Sequence, residues 1–263
     1  MDDALKALLD RFRSADSAAV TWAVTEAEKR YPGLPEEDKR SLLEALLQLF
    51  YLDLYDRPEM APVQERAMAV VAGIGSDPAC MGFLIEHLAY PDLKAAITVA
   101  RVLGRIGRPA IGRLEDFYRT QADHYARAMA LHALSKIRDA EVLAVRELVL
   151  EALRDGHPEV RDTAARTVGK FCDYFKPGQI PADWIGRAFA ALMETLADPL
   201  APVRAKALRS LGKMARNGFL EDAVVKQVEQ ACHKALGRTD FDWDNAYIVR
   251  VEAEEVLKWL GAR

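Results

Sequence analysis

The sequence predicts an all-α chain built as a stack of paired helices, an α-solenoid, and three observations carry that prediction. A pattern recurs along the chain, the apolar residues inside each copy follow helical periodicity, and the punctuation between copies is that of helix ends. The clearest copies read DGHPEVRDTAARTVG from Asp155, DPLAPVRAKALRSLG from Asp198 and DNAYIVRVEAEEVLK from Asp244. In each, an Asp stands six residues before an Arg that follows Val, Ala comes three residues after that Arg, and Val or Leu comes seven after.

With the Arg as slot zero, the pattern extends backward through Arg127 to Ala96 and Gln64, giving six copies spaced by 32, 31, 34, 43 and 46 residues. Slot +3 holds Ala67, Val99, Ala130, Ala164, Ala207 and Ala253, and slot +7 holds Val71, Leu103, Leu134, Val168, Leu211 and Leu257. At about 100° per residue these slots share one helical face, so each copy is an amphipathic helix with a small residue at its closest contact. Ahead of the copies lie further amphipathic segments at 77–90, 109–119, 140–155, 181–198 and 221–235. The chain is therefore read as helix pairs, with the recurring motif on the second member. Gly75-Ser76-Asp77-Pro78 and Gly107-Arg108-Pro109 put Gly past one helix end and Pro at the next start. Segments 2–14 and 15–30 read as a first pair, and 36–53 precedes the Gln64 helix. The longer spacings coincide with loop residues at 176–181 and 238–242, taken as insertions within one domain of residues 1–263, with 1–53 a cap and degenerate repeat and 54–263 the recognisable repeats.

At 51% apolar residues the chain has enough material for a large core, with no run suited to a membrane span. The opening MDDALKALLDRF is acidic and charge-broken, unlike a secretion signal, so the expected location is cytoplasmic. Cys80, Cys172 and Cys232 are odd in number and far apart, and are expected as free buried thiols. No metal or cofactor site is expected: the histidines form no H-E-x-x-H, and the Gly-rich stretches follow helices and lack phosphate-loop spacing. Ser210 and Lys213 share nucleophile-pair spacing but occupy surface slots of a repeat, so no catalytic residue is assigned.

These residues resemble HEAT repeats of the short bacterial kind, well over 54–263 and loosely before. The resemblance implies a right-handed solenoid of about six to seven HEAT-like pairs. It also implies that Asp155, Asp198 and Asp244 form a structural ladder with Arg127, Arg161, Arg204 and Arg250. Ala96 and Gln64 depart from the pattern, so no ionic ladder is expected in the N-terminal half.

One functional constellation stands out. Slots +5 and +9, adjacent as i and i+4 and away from the apolar stripe, read Arg101/Arg105, His132/Lys136, Arg166/Lys170 and Arg209/Lys213, with Trp259 at slot +9 of the last copy. Four second helices, at 95–108, 125–138, 159–172 and 203–216, hold fourteen Lys or Arg against two acids, although the whole chain carries a net charge of -4. In a HEAT solenoid the second helices line the concave surface, so the resemblance makes this a basic groove. The expected function is a non-enzymatic interaction scaffold for a protein partner with an acidic or helical segment. The alternative is nucleic-acid binding in the same groove, including the HEAT-like alkylpurine DNA glycosylases, which use tryptophans and an Asp. Here Trp243 is flanked by Asp242 and Asp244, the latter already assigned to the ladder. HEAT-type bilin lyases are a further enzyme class on this fold, and no residue selects them. The HEAT-repeat iron hydroxylase uses His-Glu dipeptides, which are absent. Trp22 and Trp184 lie on amphipathic helices and are expected in the core. The sequence leaves the oligomeric state open.

Overall fold

The computed structural model describes residues 2–89, 92–239 and 242–262; among these, 14 α-helices together with short 3-10 turns make 77% helical. The expected segment end at Tyr90, the termini Met1 and Arg263, and the middle of the 238–242 loop lie outside the described residues. The chain divides into two compact units, Met1–Ile137 and Arg138–Arg263.

The N-terminal unit contains four helix pairs. They are α1 (Asp3–Arg11) with α2 (Ser17–Arg30), α3 (Glu36–Gln48) with α4 (Ala61–Gly73), α5 (Pro78–Glu86) with α6 (Leu93–Ile106), and α7 (Ile111–Thr120) with α8 (His124–Leu134). Second members pack on second members, α2 on α4, α4 on α6 and α6 on α8, while α3 packs on α5. Aspartates start many of these helices: Asp2, Asp16, Asp77, Asp92 and Asp123 each accept a hydrogen bond from a first-turn backbone N–H. Such a cap satisfies donors that have no intrahelical partner. Gly107 ends α6 with φ 75°, a conformation that disfavours any residue with a Cβ.

The C-terminal unit contains three pairs. A 3-10 turn at Ala140–Val145 leads into α9 (Arg146–Ala152), which pairs with α10 (Pro158–Tyr174); α11 (Ala182–Thr195) pairs with α12 (Ala201–Arg216), and α13 (Asp222–Ala235) with α14 (Tyr247–Gly261). The segment read as one helix over 140–155 is thus a 3-10 turn followed by a short α-helix. Here too α10, α12 and α14 pack in succession. The slot pattern explains the close approach. Gly169 and Gly212, both at slot +8, lie beneath the following second helix; a Cβ on Gly212 would fall 2.5 Å from the Val256 side chain, and one on Gly169 2.5 Å from the Ser210 hydroxyl. Trp184 is fully buried, and its indole N–H donates to the Arg146 carbonyl at 3.1 Å.

The stripe residues at slots +3 and +7 are buried in nearly every copy, Ala67, Val99, Ala130, Ala164, Ala207 and Ala253 among them. Trp22 corrects the expectation of a core residue: it is 46% exposed, and the Arg11 guanidinium lies over its ring at 4.4 Å from the centroid. It occupies a polar flank of α2, whose buried face is Val20, Ala23, Val24 and Ala27. All three cysteines are free and buried, and burial pushes each thiol up to about 12. No helix among the described residues is long and apolar enough to cross a membrane.

Candidate functional site

The repeated Arg acts in two directions at once. In the C-terminal unit, Arg161 Nη1 donates to the carbonyls of Asp155 and Gly156 in its own loop, while Nε and Nη2 bind the Asp198 carboxylate at 2.6 and 3.1 Å. Arg204 repeats the geometry, holding the Asp198 and Pro199 carbonyls and binding Asp244 at 2.6 and 2.7 Å. The aspartates are doubly used as well. Asp198 and Asp244 each accept from a backbone N–H two residues on, Leu200 and Ala246, which fixes the turn into α12 and α14. Burial opposes ionisation of Asp198, but the Arg161 bond, the Leu200 N–H and neighbouring guanidinium charges outweigh it and hold the carboxyl below its usual range. The Arg204 bond does the same for Asp244. Arg127 shows the loop half of the device in the N-terminal unit, donating to the Gln121 and Ala122 carbonyls.

Where the N-terminal unit departs from the pattern, other bonds take over. Gln64 donates its side-chain amide to the Leu49 carbonyl at 2.8 Å, a buried contact. Among the described residues no slot-zero Arg–Asp rung joins α2, α4 and α6, but Lys39 on α3 reaches Asp77 at 2.9 Å, and the Tyr31 hydroxyl donates to the same carboxylate at 3.1 Å. An ion pair between helix pairs therefore exists there, through a different slot from the one the motif defines.

The slot +5 and +9 residues do not form a bare basic column. In the N-terminal unit Arg105 reaches Glu65 on α4 at 2.6 Å, whereas Arg101 is exposed with no ion pair among the described residues; His132 and Lys136 sit part-buried on α8 and the turn after it. In the C-terminal unit Arg166 lies 3.8 Å from Asp162, Arg209 binds both oxygens of Glu252 at 2.9 Å, and Asp173 gathers Lys213 at 2.7 Å, Arg216 at 3.2 Å and Lys170 at 3.8 Å. Burial pushes the Lys213 ammonium below its usual range despite Asp173, and burial raises Asp162 despite Arg166 and Lys206. Two aromatic rings complete the cluster. Arg209 and Arg216 stand 5.6 and 4.5 Å from the Trp259 ring centroid, and Arg138 and Lys170 stand 5.0 and 5.5 Å from that of Tyr174. The Trp259 indole N–H is held by Glu255. Tyr174, Asp173 and Arg216 went unassigned in the sequence because they lie outside the two slots; the signal that could have found them was their place in the next helical turn.

The remaining candidates resolve individually. Ser210 and Lys213 correct the expectation of surface slots, since both are buried where α12 packs against α10, and they are not coupled: the serine donates to the Ala165 carbonyl and the lysine to Asp173. Trp243 is 54% exposed and forms one wall of a cavity of about 580 Å3, lined also by Met193, Leu208, Ala231, Val249 and the Arg204–Asp244 rung. Asp244 there is bound by Arg204 and is not a free base. Among the described residues no three His, Cys, Asp or Glu side chains gather into a set that could hold a metal ion.

Residues 113–182 match the family model described as HEAT repeats. No curated protein matches the chain in sequence. Among solved structures, importin beta aligns with 97% of this chain and 35% of its own at 15% identity and TM-score 0.61. Kap121p covers 97% of this chain and 33% of its own at 15% identity and TM-score 0.58. The complex of CpcE and CpcF of phycocyanin lyase from Nostoc sp. PCC7120 covers 69% of this chain and 99% of the other at 20% identity and TM-score 0.56. At these identities the likeness concerns the fold: the chain is a HEAT-like α-solenoid.

Proposed function

We propose that the chain is a non-enzymatic protein-interaction module, and that the second-helix face of its C-terminal unit receives an acidic segment of a partner protein. One observation supports this above the others. Around Tyr174 and Trp259, the cations Arg138, Lys170, Arg209, Lys213 and Arg216 outnumber the carboxylates Asp173 and Glu252, which hold four of them, while Glu255 holds the Trp259 indole N–H and Arg138 lies over the Tyr174 ring. The side chains are positioned before any partner arrives, which lowers the ordering cost of binding. Arg and Trp together are also the residue types that dominate binding energy at protein interfaces. Because carboxylates already occupy much of this surface, recognition depends on where a partner's acids fall and not on bulk charge. Arg166, Lys170, Arg209, Lys213 and Trp259 are the contact residues proposed here; on the N-terminal unit the corresponding face offers Arg101, Arg105, His132 and Lys136. The fold shared with the CpcE and CpcF complex is compatible with an assembly role.

The test is titration of a labelled acidic helical peptide, with a short DNA duplex in parallel, into wild type and the Arg166→Glu/Arg209→Glu variant, after circular dichroism verifies folding. Peptide binding that weakens with salt and is lost in the variant supports the proposal. Duplex binding with a log-log salt slope of about -0.9 per neutralised phosphate would instead assign the face to nucleic acid. Binding of neither would remove it.

A further inference from the structure

We infer that the first turns of α14 form a separate docking site for a short peptide segment of another protein, one that presents a carboxylate beside an apolar side chain. The protein supplies its own template for the occupant. Arg161 and Arg204 each fill their loop-facing edge with backbone carbonyls and their outer edge with an Asp that apolar residues closely follow in sequence, Leu200 and Val203 in the first case. Arg250 is the third copy. Its Nη1 donates to the Asp244 carbonyl at 2.6 Å as the pattern requires, but among the described residues no carboxylate meets its outer edge. A part-buried guanidinium with half its fork unfilled is ready to donate two hydrogen bonds to a carboxylate.

Apolar surface surrounds that fork. Tyr247 is 75% exposed, Ile248 43% and Val251 41%. Tyr247, Arg250 and Val251 are spaced i, i+3 and i+4, and so lie on one face of the helix. Val251 occupies slot +1, where Ala128 and Ala205 are buried in earlier copies.

The rest of α14 decides what kind of partner fits. A whole stacked repeat would need small or apolar residues along the outer face, as α12 provides with Leu208 at slot +4 and Gly212 at slot +8. At the same slots α14 has Glu254 and Lys258, and Lys258 stands where Gly212 leaves no room even for a Cβ. The site is therefore open for about two turns and closed by charge beyond, which suits a short segment. A second copy joined end to end is a poor occupant too. The matching carboxylates lie two residues before the cap residues His157, Leu200 and Ala246, whereas the first pair has Ser14 two residues before its cap Asp16.

The experiment uses a probe copied from the rung that Arg161 grips: an acetylated, amidated peptide with the sequence of residues 196–203, LADPLAPV, and its Asp→Asn counterpart. Each is titrated into the isotope-labelled full chain, and the amides of residues 247–251 and the Arg250 Nε–H are followed by NMR. Saturable shifts confined to those signals are expected, with affinity about tenfold weaker for the Asn peptide and for the Arg250→Gln variant. Gln keeps a loop donor, as Gln64 does for Leu49; should Arg250→Gln lose its fold, Val251→Ser, which removes the exposed apolar contact without adding charge, carries the same prediction. Shifts that are absent, scattered or indifferent to these changes would overturn the inference. Sedimentation showing wild-type self-association that Arg250→Gln abolishes would overturn the assignment to a different protein. None of these variants touches Arg166 or Arg209, so failure here and failure of the function proposed above are separable.

Discussion

The two units solve the same packing problem with different chemistry. Both stack second helices on second helices through small residues, but the C-terminal unit adds bidentate Arg–Asp rungs at its loops, whereas the N-terminal unit relies on a neutral amide at Gln64 and a lysine at Lys39. The rungs accompany the longest spacings between copies, 43 and 46 residues, where the loops ahead of α11 and α14 lengthen. The difference teaches what the ladder does. A guanidinium that grips its own loop and the next pair's turn fixes the register between pairs at the point where longer connections would otherwise leave it loose. A side-chain amide carries two N–H donors against the guanidinium's five, and Gln64 holds one loop carbonyl.

The most severe way to break that contrast is Arg204→Ala, which strands Asp244 among its remaining neighbours. A loss of about 3 kcal/mol is expected by denaturant unfolding, and a wild-type midpoint would mean the rung is ornamental. Next comes Gly212→Ala, where the new Cβ must displace Val256; overpacking of this kind costs about 2 kcal/mol, while the same change at Gly82, which meets nothing within 4 Å, should be near neutral. In the N-terminal unit, Gln64→Leu removes one amide bond and leaves the Leu49 carbonyl unpaired, a cost of about 1–2 kcal/mol. If it matched Arg204→Ala, the two devices would be energetically equal and the comparison would fail.

The smallest effect sharpens the comparison through pH. Asp198 and Asp244 have folded-state values below the ordinary aspartate value of 3.8, so as pH falls the unfolded chain binds their protons first. Their contribution is fully present above that value and is lost as pH falls through the lower folded-state one. Asp162 is shifted the other way, by burial, so it opposes stability as pH rises from 3.8 towards its raised value. Acid unfolding followed by circular dichroism should therefore show Asp244→Asn flattening the drop below about pH 4, and Asp162→Asn removing the opposing trend.

The sequence made the helix pairs legible because their signal is repeated: small residues at slot +3 and branched ones at slot +7 recur in six copies, and Gly or Asp marks the ends. Even the departures at Ala96 and Gln64 were visible. What slot reading missed were contacts between different slots of neighbouring helices. Glu65 at slot +1 answers Arg105 at slot +9; Glu252 at slot +2 answers Arg209 at slot +5; Asp173, a turn beyond the motif, answers Lys213. Counting charge along one column could not reveal them, because the acids lie on adjacent copies at offsets set by three-dimensional stacking. The pair Lys39–Asp77 escaped for the same reason, and Trp22 escaped because amphipathic helices have two edges as well as two faces.

Arg250's half-empty fork bears on how the molecule opens. In an array where each pair is held mainly by its neighbours, opening starts where the fewest neighbours hold. Among the described residues helix α14 packs on α12 and α13 and no carboxylate meets its outer guanidinium edge, so its amide protons should exchange with solvent sooner than those of α12. A ligand seated there would slow that exchange, making fraying itself the readout of occupancy.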